Sequence, residues 1–337
     1  MSRILVTGGC GYIGSHTIVD LLDNGYEVLC LDSLINASPE CLEGIREITG
    51  KTIRNHLVDL TKTHEVDSFF QNQDPIDGVI HFAALKAVGE SVEKPMLYFK
   101  NNVNGMINLL EACVKFGVKH FVFSSSCTVY GDPDQLPVTE TSPFKPAESP
   151  YGRTKQIGEM LLEDICRLTP LRGVSLRYFN PAGAHPSSEI GESPVNPALN
   201  LVPIITETAI GLRDQIKVFG NDYDTRDGTC IRDYIHVSDL AHAHTLALKY
   251  LDENEMDLEV FNLGTGNGVS VLEAIHAFEA VNGLKLKYSM SERRPGDVPA
   301  IYSDNKKARE DLGWRPEKDI NDIMKTAWEW EKSRRDN

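Results

Sequence analysis

No run of about 18 apolar residues occurs anywhere in this chain of 337 residues, so nothing in it reads as a membrane-spanning helix. The opening segment MSRILVTGG has too short an apolar part for a secretory signal, and a cytoplasmic protein is expected. Cysteine is sparse and unpaired in pattern. Seven residues, at 10, 30, 41, 113, 127, 166 and 230, are never spaced as Cys-x-x-Cys, which fits a reducing compartment, offers no zinc site and leaves no metal expected. Positive charge is also short: the formal net charge is −15 and no dense Lys/Arg run breaks it. Phosphate backbones are therefore repelled, and neither nucleic acid nor a membrane is an expected partner. Internal repeats and low-complexity tracts are missing too. What remains is an ordinary globular composition, 41% hydrophobic and 25% charged, on a length that suggests about two domains of ~150 residues.

The first half alternates short apolar runs with longer helical patterns. RILVTG, EVLCLD, NHLVDL, GVIHFAA, HFVFSSS and VSLRYFN read as six strands. SHTIVDLLDNG, closed by Asn24-Gly25, and NNVNGMINLLEACVKFG, closed by Gly117, read as helices between them. Strict alternation means parallel strands with crossover helices, an α/β doubly wound sheet of the Rossmann type, with ligands beyond the carboxyl ends of the strands. After about residue 181 the segment NPAGAHPSSEIGESPVNPALN loosens the rhythm. The expected division is a dinucleotide-binding domain over 1–180, to which the chain returns around 237–265, and a smaller α/β substrate domain over most of 181–337.

LVTGGCGYIGSHTIVDLL runs strand, glycine-rich turn, helix. Its glycines fit two spacings, Gly9, Gly11 and Gly14 or Gly8, Gly11 and Gly14. Either strips Cβ atoms from a helix amino terminus, where a pyrophosphate approaches backbone N–H groups. Asp32 ends the second strand eighteen residues after Gly14, near the ~20 expected for a carboxylate on the adenosine ribose. That carboxylate repels a 2′-phosphate and no arginine directly follows it, so NAD is expected rather than NADP. A second glycine-rich stretch, FNLGTGNGVSV at 261–271, lacks a surrounding βαβ unit and reads as a turn in the substrate domain.

SPYGRTK, at 149–155, pairs a good N-cap, Ser149, with Pro150 at the first helical position. Tyr151 and Lys155 then lie one turn apart on one face. A phenol titrates near pH ~10, so acting as a base near neutrality needs a shift of about three units, or ~4 kcal/mol. An ammonium ~5 Å away at an effective dielectric of ~20 contributes about 3 kcal/mol, and an oxidised nicotinamide adds positive charge. Tyr-x-x-x-Lys alone is common on solvated helices. Its place after a strand ending in SSS, within a nucleotide-binding sheet, points it towards catalysis.

TGGCGYIG, SSSCTVYG and YGRTK together resemble the extended short-chain dehydrogenase/reductase superfamily. LKAVGESVEKP, NNVNG, RYFNPAGAHP, FGNDYDTRDGTCIRDYIHVSDLA, NLGTGNGVSV and RRPGDVPA narrow the resemblance to the UDP-glucose 4-epimerase family, over essentially the whole chain and in order. The resemblance implies an isomerase that passes the C4 hydride of a UDP-hexose to tightly held NAD and returns it to the other face of the same sugar. Tyr151 takes the 4′-hydroxyl proton, and Ser126 hydrogen-bonds the 4′-oxygen. It also implies a homodimer, built on helices after NNVNG and from YGRTK onward.

Carried over position by position, the family's cofactor contacts fall on Gly8, Gly11, Tyr12, Ile13, Gly14, Asp32, Asp59, Leu60, Phe82, Ala83, Lys86, Asn101, Ser124, Tyr151, Lys155 and Tyr178. Its UDP-sugar contacts fall on Lys86, Ser126, Tyr151, Asn180, Asn200, Leu201, Lys217, Val218, Phe219, Arg232, Arg294, Asp297 and Ile301. Two arginines suit a diphosphate, which a guanidinium clamps with paired hydrogen bonds. Two positions depart from the family. Leu199-Asn200-Leu201 stands where Asn-Asn-Leu is frequent, so one amide is lost. Ile301 stands where members carry tyrosine or a small residue, and its intermediate bulk leaves UDP-N-acetylhexosamines open as substrates. The rival reading is a nucleotide-sugar 4,6-dehydratase on the same scaffold. That reaction needs an acid and a base, typically Asp-Glu, where this chain has Cys127-Thr128.

Overall fold

The computed structural model describes residues 2–193, 197–294 and 296–336. Its strands in chain order are β1 Arg3–Thr7, β2 Glu27–Leu31, β3 Asn55–His56, β4 Gly78–His81, β5 His120–Ser126, β6 Arg172–Tyr178, β7 Asn180–Ala182, β8 Ile216–Phe219, β9 Ile231–His236, β10 Leu258–Leu263, β11 Gly268–Ser270, β12 Tyr288–Ser291 and β13 Ala300–Ile301. A seven-stranded sheet has the order β10-β6-β5-β4-β1-β2-β3, and every pairing in it is parallel. All six strands expected from sequence are there, the third cut to two residues. The order reverses between β1 and β4, which makes the carboxyl ends of those strands the ligand crevice.

Successive side chains on a strand point to opposite faces. Ile4, Val6, Ile80 and Val122 enter one apolar core with the helix Tyr12–Asp23 and the helix Val237–Glu253. Leu5, Val79, Phe121 and Phe123 enter the other, with the helix Gly105–Lys115 and the helix Pro150–Leu168. Each buried aliphatic or aromatic side chain is worth roughly 1.5–3 kcal/mol, so a strand such as β5, buried along its whole length, is held firmly between the two layers. The catalytic candidates hang from that strand's end.

The second half forms a small sheet, β11-β9-β13, with β7 also on β9, and a separate pair, β12-β8. Its core joins Val202, Ile205, Ile216, Val218, Phe278 and Ile323. The chain returns to the large sheet at β10, and Trp314, whose Nε1 donates to the Asp239 carbonyl at 2.8 Å, packs into the first core. FNLGTGNGVSV is therefore the end of a large-sheet strand leading into β11, and its expected place within the substrate domain alone is corrected. The buried Asp233 carboxylate fixes that passage, accepting from the Thr265 N–H and hydroxyl, both at 2.7 Å, and from the Gly266 and Ser303 N–H groups, both at 3.1 Å.

Candidate active site

β1 ends at the glycine turn and Gly11 caps the helix Tyr12–Asp23. Gly8 has φ +72°, and a Cβ there would lie 2.7 Å from the Ala83 nitrogen just past β4. A Cβ on Gly14 would run into the Gly8 carbonyl oxygen, whereas Gly9 faces the Cys30 sulfur. Of the two spacings, Gly8, Gly11 and Gly14 are thus the glycines packed on one another, with the Gly11 N–H on the Gly8 carbonyl at 3.0 Å. The helix begins directly after this turn, and the N–H groups of a first helical turn lack intrahelical partners, as a diphosphate site needs. Asp32, buried at the end of β2, accepts from the Leu34 N–H at 2.8 Å and the Cys10 N–H at 3.1 Å, and its burial raises its carboxyl pKa.

Around this turn the Tyr12 hydroxyl donates to the Gly183 carbonyl at 2.6 Å, and Ile13 and Phe82 pack on the first core. Asp59 accepts from the Thr61 N–H at 2.9 Å, which orders the loop carrying Leu60. The segment Phe99–Asn104 winds as a π-helical turn before Gly105–Lys115, a distortion the helical period did not signal. It carries Asn101, whose amide donates to Asn102 at 3.0 Å. Asn102 in turn grips both the N–H and the carbonyl of Leu85 and donates to the Thr154 hydroxyl at 3.1 Å. The π-turn is thereby stitched to the loop after β4 and to the helix of Tyr151.

Ser149 caps that helix through its hydroxyl, which accepts from the Gly152 N–H at 3.1 Å. Lys155 is buried and donates to the Ser124 carbonyl, its ammonium 5.0 Å from the Phe123 ring centroid and 5.9 Å from that of Tyr151. Burial pushes Lys155 down to about 7, opposed by Glu159. Burial also pushes Tyr151 up to about 12, partly offset by the nearby Ser126 hydroxyl. The expected shift is assigned to Lys155 together with an oxidised nicotinamide; within the chain's own groups, the cost of burying a phenolate opposes it.

Ser126 ends β5, and its hydroxyl accepts from the Thr128 N–H at 3.3 Å. Burial keeps the Cys127 thiol protonated, up at about 12. Cys127 packs in one apolar cluster with Tyr130, Phe179 and Ile301, so the turn after β5 is walled by the small sheet. Tyr178 is buried beside Ser124 and Tyr151, and its hydroxyl has no hydrogen-bond partner among the described residues.

Register sets Arg232 beside Ile301 and Asn180 beside Tyr234. Arg232 donates to the Ile231 and Val298 carbonyls at 2.9 and 2.8 Å and lies 3.5 Å from Asp297. Arg294 makes paired bonds to the same Asp297 at 2.8 and 3.1 Å, its guanidinium 5.7 Å from the Phe219 ring centroid. Asp297, Arg232, Arg294 and the end of β8, Lys217 to Phe219, therefore form one cluster. Lys86 and Asn200 meet elsewhere, both on the Glu192 carboxylate, at 3.4 and 3.0 Å. Leu201 starts a helix, Leu201–Ala209, on the core of the small sheets, while Leu199 is exposed.

Sequence reasoning missed Glu192, whose segment carries no motif. It also missed a buried network behind the helix of Tyr151. Glu159 binds Arg177 through paired bonds at 2.6 and 2.9 Å and accepts from the Ser125 hydroxyl. Arg177 donates to the Tyr130 hydroxyl at 3.0 Å, which donates to Asn262 at 2.6 Å. The one available signal was the spacing of Tyr151, Lys155 and Glu159, four residues apart each time on one helix face.

A family model described as GDP-mannose 4,6 dehydratase matches residues 5–327. The UDP-glucose 4-epimerase of Pasteurella multocida is 49% identical, over 98% of this chain and 97% of its own, and that of Bacillus subtilis is 49% identical over 98% and 97%. Among solved structures, the UDP-glucose 4-epimerase of Bifidobacterium longum in complex with NAD+ and UDP superposes with a TM-score of 0.95 at 43% identity, covering 98% of each chain. That of Stenotrophomonas maltophila, with bound NAD and formylated UDP-arabinopyranose, gives 0.96 at 44% identity, covering 100% of this chain and 99% of its own. With full-length likeness to these enzymes, a glycine turn closed on β4 and a half-buried Tyr151 beside the buried Lys155 at the end of β5, the chain belongs to the nucleotide-sugar family that the dehydratase model describes, and within it to the UDP-glucose 4-epimerases.

Proposed function

We propose that this protein is an NAD-dependent UDP-glucose 4-epimerase, an isomerase interconverting UDP-galactose and UDP-glucose. The observation that carries the reading is the half-buried Tyr151 with the buried Lys155 one turn on, the lysine anchored on the Ser124 carbonyl at the end of β5 next to Ser126, in the same parallel sheet as the glycine turn and Asp32. The residues present suit NAD: a cradle that Cβ atoms on Gly8 and Gly14 would fill, a carboxylate at the end of β2, and a buried Tyr178 hydroxyl without a hydrogen-bond partner among the described residues. Gly8, Gly11, Tyr12, Ile13 and Gly14 would hold the diphosphate end, Asp32 and the Asp59–Leu60 loop the adenosine, and Phe82, Ala83, Lys86, Asn101, Ser124 and Tyr178 the rest. Bound NAD would accept the C4 hydride and give it back.

The chain's own residues manage the proton and the sugar. Tyr151 Oη receives the proton of the 4′-hydroxyl and later returns it, and Ser126 Oγ holds the 4′-oxygen between the two. Lys155, anchored on the Ser124 carbonyl, supplies a buried positive charge on the side where phenolate develops. Because the chain alone leaves the phenol near 12, part of that stabilisation must come from positive charge brought into the site. Arg232 and Arg294 exchange Asp297 for the UDP diphosphate, with the backbone of Lys217, Val218 and Phe219 along the uridine and Asn180, Asn200 and Leu201 at the sugar side. The wall at Ile301 faces the turn of Ser126, and its bulk bears on UDP-N-acetylhexosamines.

Dehydratase chemistry is disfavoured by the same turn, since Cys127 stays a neutral thiol and Thr128 has no useful acidity. The test is direct. Protein given UDP-galactose and no added cofactor should yield UDP-glucose, and a product with C6 dehydrated, or no product from NAD-loaded protein, overturns the proposal. Tyr151→Phe should keep NAD and lose turnover by ~10³ or more, because the base is gone and the fold is not. Near-normal turnover would move the proton path to Ser126 or water.

We also infer residues 1–180 with the return at 237–265 as the dinucleotide half, the rest of 181–337 as mainly the UDP-sugar half, a cytoplasmic location and a homodimer. Exposed Val92, Met96, Leu97 and Met160, on helices packed against one another, support the last, which sedimentation would test. Among the described residues no helix is long and apolar enough to cross a membrane.

A further inference from the structure

Ser126 lies between two tethers to one buried ion pair. On one side, the Ser125 hydroxyl donates to the Glu159 carboxylate, which Arg177 on β6 grips with paired bonds at 2.6 and 2.9 Å, both charged side chains only 6% exposed. On the other side, the short helical turn Cys127–Tyr130 ends on the same guanidinium: Arg177 Nη1 donates to the Tyr130 hydroxyl at 3.0 Å and to the Glu140 carbonyl at 3.1 Å. The rings of Tyr130 and Phe144 hold that guanidinium at 5.1 and 5.0 Å from their centroids.

The same pair holds the helix Pro150–Leu168 against β5. Glu159 follows Lys155 by one turn on one helix face, and β5 turns Phe121, Phe123 and Ser125 towards this helix. Gly158 lets the two elements close, since a Cβ there would fall 2.5 Å from the Phe123 ring. Lys155 thus reaches the Ser124 carbonyl from one turn while Glu159 takes the Ser125 hydroxyl from the next. We propose that Glu159, locked by Arg177, is a positioning residue: it sets the end of β5 against Tyr151 and Lys155 and supplies the fixed negative charge that favours the lysine's ammonium form. The role in turnover rests on the function proposed above, while the clamp itself does not.

Stability alone does not call for such a pair. Desolvating two charges offsets much of their attraction, and apolar residues of similar volume commonly hold a fold as well. Apolar residues would lack the charge and the directed bond to Ser125. The other titratable groups around Tyr151 and Lys155 are neutral near pH 7. Burial pushes His81 on β4 down to about 3, and it pushes up the Cys127 thiol after β5, the Tyr178 phenol on β6 and the Tyr98 phenol on the helix Pro95–Tyr98. Among the described residues that leaves the Glu159 carboxylate, with Arg177 behind it, as the permanent charge acting on Lys155. A nearby negative charge raises the proton affinity of phenol and amine together, so removing the ion pair lowers both.

The test uses full-length protein loaded with NAD. The double variant Glu159→Leu, Arg177→Met leaves no buried charge unpaired and should keep its circular dichroism, with NAD affinity within about threefold of the parent. Its kcat on UDP-galactose should fall about tenfold or more at the parent's optimum with KM little changed, and its pH profile of kcat should move as a whole towards acid by about one unit. A charge ~6 Å away at an effective dielectric of ~20 is worth about two pH units, and the guanidinium behind it takes back roughly half. Ser125→Ala, which keeps both charges, should lower kcat severalfold without moving the profile. In lysine labelled with 13C at Cε, the resonance absent from Lys155→Met should titrate about one unit lower in the double variant. Parent kcat in either variant, a uniform loss with an unmoved profile, or an unmoved lysine titration overturns the proposal. Should the double variant fail to fold, Glu159→Gln, which retains an acceptor for Ser125 and Arg177, reads the same titration with the same two outcomes. If the NAD-loaded parent does not convert UDP-galactose, the failure belongs to the proposed function, and the lysine titration still decides the inference.

Discussion

Replacing Lys155 by methionine tests how much this protein gives up in stability to keep a charge in its crevice. The lysine's ordinary value of 10.5 falls to about 7 because burial penalises the ammonium, and that difference corresponds to about 5 kcal/mol of destabilisation below pH 7. Methionine has nearly the same length, needs no partner and packs against Phe123 as the lysine stem does. The variant loses the bond to the Ser124 carbonyl, which leaves a buried acceptor unpaired at a cost of about 1–3 kcal/mol. Lys155→Met should therefore be more stable than the parent by about 2–4 kcal/mol near pH 6.5.

The sign and the window are fixed by the two pKa values. Between about 7 and 10.5 the unfolded chain carries a proton on Lys155 that the folded chain does not, so the parent's stability rises with pH there, by up to about 1.4 kcal/mol per unit from this group. The methionine variant lacks that slope. Its advantage should be greatest below pH 7, shrink steadily, and vanish or reverse as pH nears 10.5. Urea unfolding of both proteins at pH 6.5, 8 and 9.5 reads it directly. A variant less stable at pH 6.5, or an advantage equal at 6.5 and 9.5, would refute the claim that burial strains the ammonium. Epimerase turnover should meanwhile collapse, since the phenol loses its nearest positive charge.

Gly14→Ala should abolish NAD binding with little loss of expression, because its Cβ is driven into the Gly8 carbonyl oxygen within the turn itself; retained binding in calorimetry would show that the turn yields. Arg177→Met leaves Glu159 charged and buried, and should cost about 3–5 kcal/mol in urea unfolding, with recovery in the double variant Arg177→Met, Glu159→Leu. Ile301→Ala should cost about 2–4 kcal/mol of stability while raising turnover of UDP-N-acetylgalactosamine relative to UDP-galactose, and an unchanged ratio would detach Ile301 from the sugar site.

The strands of the large sheet's first half were legible because a parallel sheet buried on both faces leaves an unmistakable run of apolar residues. β5, all seven residues buried, is the clearest case. β3 was over-read, since NHLVDL continues apolar after pairing stops at His56. β10 was legible only as a return of the chain, because LEVFNL sits next to a glycine-rich segment that imitates a turn. The glycine spacing needed coordinates to decide, since Gly8 and Gly9 are adjacent and only one carries the positive φ. Side chains that meet across the fold left still less trace. Arg177 and Asn262 lie in strands whose local pattern serves the core and Glu192 in a loop, and Glu159, Tyr130 and Lys86, which they meet, stand 18, 132 and 106 residues away.

The least legible quantity was the acidity of Tyr151, and the reason bears on mechanism. Sequence supplies the charges near a group and says little about the solvent removed from it. Around Tyr151 those two effects oppose, and removal of solvent wins, leaving a phenol near 12 beside a lysine near 7. Such a pair does little to a hydroxyl until further positive charge enters the crevice. Added cationic charge would lower the phenol and would also lower the lysine further, so the two groups must be balanced against each other as well as against the ligand. Glu159, one turn beyond Lys155 and already neutralised by Arg177, is placed to hold that balance: it favours the ammonium without offering Lys155 a competing salt bridge. On this argument the protonation state that matters for turnover belongs to the Tyr151, Lys155 and Glu159 face of one helix taken together, with Ser124 and Ser126 at the end of β5 as its anchors.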